Sequence, residues 1–227
     1  MIVLKITDLH VAVGQRPLFV LPQLEACGGD VIGLSGSNGS GKTTLLRNLA
    51  GLARPERGRI DWSPDPGREG SPDALTLGAD GFRILYLSAT PALLLDQDVF
   101  GNLVFMANAY GRLPTRAGVI EALETAGLAG RERQVVRSLS TGQKRRLSFA
   151  GSILIEPHAL LADEPTNGLD SQGRALWTAL VGQCTARRTL VIVATHDQEV
   201  LKAASRVVGI EDLAGRVRSK QRAPQFL

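Results

Sequence analysis

Val31-Ile32-Gly33-Leu34-Ser35-Gly36-Ser37-Asn38-Gly39-Ser40-Gly41-Lys42-Thr43-Thr44 decides how the rest of the chain is read. It opens on a short apolar run, passes through a Gly/Ser loop and enters a stretch with Leu45, Leu46 and Leu49 at helical spacing. The order is buried strand, loop, helix. Within it, residues 36–43 satisfy G-x-x-x-x-G-K-[ST], and the flanking strand and helix turn that pattern into a physical expectation. The glycines let backbone amides surround phosphate oxygens, and the helix aims its positive end at the same anion. Gly36, Ser37, Asn38, Gly39, Ser40, Gly41, Lys42, Thr43 and Thr44 are therefore candidate nucleotide ligands. Lys42 is expected at the β- and γ-phosphates and the Thr43 hydroxyl at Mg²⁺.

Two further strand ends carry chemistry. The apolar run Ala159-Leu160-Leu161-Ala162 leads into Asp163-Glu164-Pro165. Carboxylates where a buried strand emerges lie on the ligand-binding edge of a parallel sheet. Asp163 is expected to hold the metal, and Glu164 to polarise the water that attacks the γ-phosphate. The run Thr189-Leu190-Val191-Ile192-Val193 ends near His196, which emerges on the same edge and can bond the γ-phosphate.

Around these landmarks, residues 1–30 alternate apolar runs with turn signals and read as a small sheet. Residues 61–82 are dense in Gly, Pro, Ser and Asp, and read as an excursion within that sheet. Residues 91–150 carry mostly helical patterns that interrupt the strand series. Strands alternating with helices, as at 159–162, 172–181 and 189–193, predict a mostly parallel core sheet.

With 227 residues, 44% hydrophobic and 21% charged, the composition is that of a soluble globular chain, expected to be one domain with subdivisions. A net charge of +4 suits anionic ligands without choosing among nucleotide, nucleic acid and membrane surface. Cys27 and Cys184 stand far apart with no metal-type spacing, which argues for a reducing compartment and against a disulfide framework. No apolar stretch approaches the roughly 20 residues needed to span a bilayer, and Met1-Ile2-Val3-Leu4-Lys5 lacks the order of a signal peptide. Any membrane must then be crossed by another chain.

Leu139-Ser140-Thr141-Gly142-Gln143-Lys144-Arg145-Arg146 reads locally as a polar cap opening an amphipathic helix, with Leu147, Ala150, Gly151 and Leu154 following. It also resembles the LSGGQ signature of ABC ATPases. Together with the phosphate loop, the acid pair, Asn167-Gly168-Leu169-Asp170 like that family's D-loop, and His196, the resemblance spans nearly the whole chain in the family's motif order. Tyr86-Leu87-Ser88, Pro91, Asn102-Leu103 and the 142–146 run look most like the heme-exporter ATPase of cytochrome c maturation.

The resemblance implies an α/β P-loop fold: a mostly parallel ATP-binding core (31–57 and 151–213), a small antiparallel β-subdomain (1–30 and 58–88) and an inserted helical subdomain (89–150). A basic tail (214–227) completes the chain. It further implies Mg²⁺-dependent ATP hydrolysis by two domains packed head to tail, a homodimer or a pair of close paralogues. Ser140, Gly142, Gln143 and Asp170 of one chain would contact the nucleotide on its partner's loop. The expected setting is cytoplasmic, peripheral on the inner face of the cell membrane and bound to transmembrane transporter subunits. Leu95, Val99 and Phe100 are candidates for that contact.

Three departures from the family pattern stand out. Where the family carries a glutamine after the strand at 84–88, this chain has Ala89-Thr90, and Gln97 is too far downstream to align. Residues 11–17 offer Val13 but no aromatic ring for the base, so weak discrimination between ATP and GTP is expected. Thr141 replaces the first signature glycine. Arg216, Arg218, Lys220 and Arg222 keep open a rival role on nucleic acid or ribosomes. Relatives of that kind carry coiled-coil insertions or tandem ATPase halves, and this chain has neither a sustained heptad run nor a second phosphate loop.

Overall fold

The computed structural model describes residues 1–14, 16–64 and 82–213. The basic tail and most of the Gly/Pro-rich excursion thus lie outside the described residues. The elements run β1 (Ile2–Val13), β2 (Arg16–Cys27), β3 (Val31–Ser35), α1 (Lys42–Leu49), β4 (Arg57–Pro64), β5 (Ile84–Leu87), α2 (Val99–Ala109), α3 (Arg116–Thr125), α4 (Thr141–Ile155), β6 (Ala159–Asp163), α5 (Ser171–Ala186), β7 (Leu190–Ala194), α6 (Gln198–Lys202) and β8 (Arg206–Gly209).

They form two sheets. One is antiparallel in the order β2-β1-β4, and the other is parallel in the order β5-β6-β7-β3-β8. The side-chain period of two explains the layering of the parallel sheet. Ala159, Leu161, Leu190, Ile192, Ile32 and Leu34 face one way, into a core shared with α1 and with Ile2, Leu4, Ile6 and Phe19 of the small sheet. Leu160, Ala162, Val191, Val193 and Val31 face the other way, onto Trp177, Leu180 and Cys184 of α5 and Phe149 of α4. Both faces are covered, which is why β6 and β7 read as continuous apolar runs.

Residues 84–87 pair in parallel with β6, so β5 is an edge strand of the core sheet rather than part of a β-subdomain running to residue 88. The helical insertion has its own core of Val99, Leu103, Val119, Leu123, Val136 and Leu147. Its last helix, α4, continues to Ile155, past the expected boundary at 150, and packs against α5. That continuity joins the insertion rigidly to the core. Among the described residues no helix is long and apolar enough to cross a membrane.

The parallel order has a functional consequence. Strands β3, β6 and β7 sit side by side and point the same way, so the segments leaving their carboxyl ends converge: the phosphate loop, Asp163-Glu164 and Thr195-His196.

Candidate functional site

The loop between β3 and α1 turns through Gly36, Gly39 and Gly41 at φ of 150°, 78° and 107°, backbone that only glycine adopts freely. Gly41 caps α1 with no side-chain hydrogen bond, and the first turn holds no acidic residue. The helix therefore presents unneutralised amides and the positive end of its dipole to the loop. Lys42 lies across the loop, its Nζ donating to the carbonyls of Gly36 at 2.6 Å and Ser37 at 3.1 Å, 3.1 Å from His196 Nε2. Burial pulls the lysine's pKa below its usual range, against the opposing pull of Glu164, Asp163 and Glu211. A phosphate entering this loop would replace neutral acceptors with charged ones, which bind an ammonium more strongly. Glu211 steadies the loop from behind by accepting the Ser37 N–H at 2.9 Å.

The acid edge is fully formed. Asp163 is 3% exposed, and its Oδ2 accepts from the Thr43 hydroxyl at 2.8 Å and the Tyr86 hydroxyl at 3.3 Å. Among the described residues no cluster of three or more His, Cys, Asp or Glu could cage a metal. A hydroxyl and a buried carboxylate this close nevertheless fit Mg²⁺, which takes one or two protein oxygens and completes its shell with phosphate and water.

Glu164 adopts φ 46°, an uncommon conformation for a side-chain-bearing residue and one that accumulates at functional sites. It is pinned on every side. Its N–H donates to Ala194 O at 2.8 Å, and its carbonyl accepts from Arg145 Nη1 at 3.0 Å and Asn167 N at 3.2 Å. Its carboxylate accepts from the Thr195 hydroxyl at 3.2 Å and lies 3.5 Å from His196 Nε2. That imidazole nitrogen is also 2.8 Å from Asn38 Oδ1. Lys42, Glu164 and Asn38 thus meet at one histidine nitrogen, bridging the phosphate loop to the acid edge.

A cavity of about 390 Å³ opens beside this constellation, lined by residues 38–44, Asp163, Glu164, Ala89, Val13, Arg16 and Leu18; His196 is not among the lining residues but reaches Asn38, which is. Gln97 is not among its lining residues. Val13 is 57% exposed and offers apolar contact without a ring.

The signature residues lie elsewhere. Ser140 caps α4 in a reciprocal box: its hydroxyl oxygen accepts from Gln143 N at 3.2 Å, and Gln143 Oε1 accepts from Ser140 N at 3.0 Å. Ser140 and Thr141 are exposed, and the first turn of α4 holds no acidic residue. Asp170 caps α5 through Gly173 N at 2.8 Å and pairs with Arg146 at 2.5 Å. Together these bonds lower its pKa, the Gly173 bond first. Neither Ser140 nor Asp170 lines the cavity over the phosphate loop, so the signature cap and the loop are separate places on the chain.

Sequence reasoning missed Tyr86, Thr195 and Arg145. Thr195 stands beside His196, and Tyr86 stands in a strand aimed at the acid edge, so their positions were available. Arg145 lies within a basic run, and nothing in its spacing sets it apart from its neighbours.

The family model described as ABC transporter matches residues 23–167. The cytochrome c biogenesis ATP-binding export protein of Pseudomonas aeruginosa is 33% identical over 90% of this chain and 98% of its own length. A daunorubicin resistance ATP-binding protein of Streptomyces coeruleorubidus is 36% identical over 86% of this chain, which spans 60% of that relative. Among solved structures, a dimeric bacterial ABC transporter cassette aligns with a TM-score of 0.76 at 22% identity, covering 91% of this chain and 93% of that one. The fold, the motif order, the family model and a relative matched over nearly its full length agree, and the chain belongs to the ABC transporter family of ATP-binding domains.

Proposed function

We propose that this chain is the ATP-hydrolysing subunit of a membrane transporter, and that it works as a pair with two ATP held between facing copies. The observation that carries the reading is the separation of the phosphate loop from the Ser140 cap on one chain. Lys42, Thr43, Asp163 and Glu164 line one cavity with His196 bonded at its edge, while Ser140 is exposed and does not line that cavity. A single copy grips the triphosphate from one side, and a second copy placed head to tail supplies the other side.

In that arrangement the residues divide the work. Amides of Gly39 to Thr44 and the α1 dipole hold the phosphates, and Lys42 neutralises the β- and γ-oxygens. Thr43 and Asp163 would hold Mg²⁺, whose chemistry here is to balance phosphate charge and fix the oxygens in line. Glu164 accepts a proton from the attacking water, and His196 orients that water and the γ-phosphate while bonded to Asn38. The partner's Ser140 and the amides near its Gly142 and Gln143 close the other face. Asp170 acts at this junction by fixing α5 and Arg146. The bond between the γ-phosphorus and the β–γ bridging oxygen breaks, and ADP and phosphate leave as the pair reopens.

The membrane partners would sit on the helical subdomain, where Leu94, Leu95, Phe105 and Leu113 are 40%, 46%, 54% and 89% exposed. Val99 is wholly buried and belongs to the core. Phe100 is half-buried, with Arg116 5.5 Å over its ring. Such apolar exposure fits docking of transmembrane subunits, and peripheral attachment at the cytoplasmic face is part of the same proposal. An export relative and a drug-resistance relative on one cassette plan agree with cargo being chosen by those subunits. Extraction of the protein from membranes in mild detergent tests the reading: a polytopic partner should co-purify, and recovery with ribosomes or nucleic acid instead would contradict it.

A further inference from the structure

Arg145 is 5% exposed, although the two basic residues beside it are less buried. Its Nη1 donates to the carbonyl of Glu164 at 3.0 Å and its Nη2 to the carbonyl of Ala89. Its Nε has no protein partner among the described residues. Burying a guanidinium costs free energy unless its bonds are fixed. Here two carbonyls fix it, one on Glu164 itself, whose φ is uncommon, and one at the loop where the family pattern places a glutamine and this chain has Ala89-Thr90. Arg145 also lies on the same rigid helix that Ser140 opens.

We propose that Arg145 is a positioning residue that couples the two composite sites of the dimer. Contact of Ser140 with the partner's nucleotide moves α4 as a unit, and Arg145 passes that displacement to the Glu164 backbone of its own site and to the 89–90 loop. The planar guanidinium holds its two donors in one rigid fork, so the two carbonyls are kept at a fixed separation and direction, which a freely rotating ammonium on a flexible stem does not impose. The device replaces a glutamine side chain in the cavity with a guanidinium behind it. It rests on the paired reading above.

The test uses the full chain with Arg145→Lys, which keeps the charge and loses the fork. Melting temperature, affinity for ATP without Mg²⁺, turnover and the ATP dependence of turnover are measured together. The expected result is a fold and an ATP affinity within about twofold of the parent, a kcat lower by about tenfold or more, and a Hill coefficient reduced from above one to about one. A purely scaffolding arginine would lower stability and affinity without selectively flattening the ATP curve. Unchanged kcat and cooperativity, or a non-cooperative parent protein, would overturn the proposal. If Arg145→Lys does not fold, Arg145→Met takes its place, and failure of both to fold assigns Arg145 to the scaffold and also overturns it. Should Glu164→Gln pair in ATP while Arg145→Lys turns over normally, only the coupling fails. Should Glu164→Gln not pair, the two-chain reading itself fails.

Discussion

Replacing Gly41 by Ala attacks the phosphate loop through backbone and packing together. At φ 107° an added Cβ would lie 2.8 Å from Leu18 Cδ1 and 2.9 Å from Phe19 Cε1. Phe19 is 1% exposed and cannot swing outward. The conformational strain is worth about 1–3 kcal/mol, and forcing a methyl into a packed wall adds about 1–3 kcal/mol, so the loss is about 2–6 kcal/mol. For a chain of this size each kcal/mol lowers Tm by about 2–4 °C, which sets the minimum fall at about 4 °C. The backbone would relieve the clash by tilting the first turn of α1 away from the phosphates, so ATP affinity should fall at least about tenfold. Gly39→Ala is the internal comparison: its φ is 78°, but nothing lies within 4 Å of the added carbon, leaving strain of about 1–2 kcal/mol alone. Thermal melts and ATP titrations of both variants decide the matter. Equal, small Tm losses, or parental ATP affinity in Gly41→Ala, would refute the packing argument.

Other consequences are as direct. Thr43→Val keeps the shape of the first helical turn and removes the hydroxyl bonded to Asp163 at 2.8 Å; the Mg²⁺ concentration for half-maximal hydrolysis should rise about tenfold, and an unchanged Mg²⁺ titration would count against that site. With Val13 and Leu18 rather than a ring on the cavity wall, kcat/KM for ATP and GTP should agree within a few-fold, and a strong preference for ATP would contradict this. His158 accepts the Arg83 N–H at Nδ1 and is held neutral, its pKa pulled below 6.5 by burial first and then by the charges of Arg83, the N-terminus and Arg112. Its contribution to stability is therefore complete above pH 6.5 and declines as pH falls through the lowered folded value. Urea midpoints from pH 7.5 down to 5 should fall for the parent and flatten for His158→Gln, and parallel slopes would contradict the assignment.

Much of this site could be read before the structure, because it is built from strand ends. A glycine-rich run between an apolar strand and a helix, and carboxylates following another apolar strand, fix position as well as chemistry, since parallel strands bring their carboxyl ends together. The place of β5 was less accessible: four residues of apolar character do not reveal whether the neighbouring strand runs parallel or antiparallel. Arg145 was hidden for a different reason. Its importance comes from two backbone carbonyls, which have no sequence signature, and it stands between Lys144 and Arg146 with the same charge. Ser140 was legible as a cap, but its exposure, on which the proposed shared site depends, is a property of how α4 packs.

On the proposed function, bound triphosphate joins two copies face to face. Size-exclusion chromatography with light scattering on the Glu164→Gln protein, in which the proposed base is removed, is the decisive assay. Twice the chain mass is expected with Mg-ATP and a single chain mass with Mg-ADP. A single chain mass in saturating Mg-ATP, with nucleotide binding confirmed on the same sample, would contradict it.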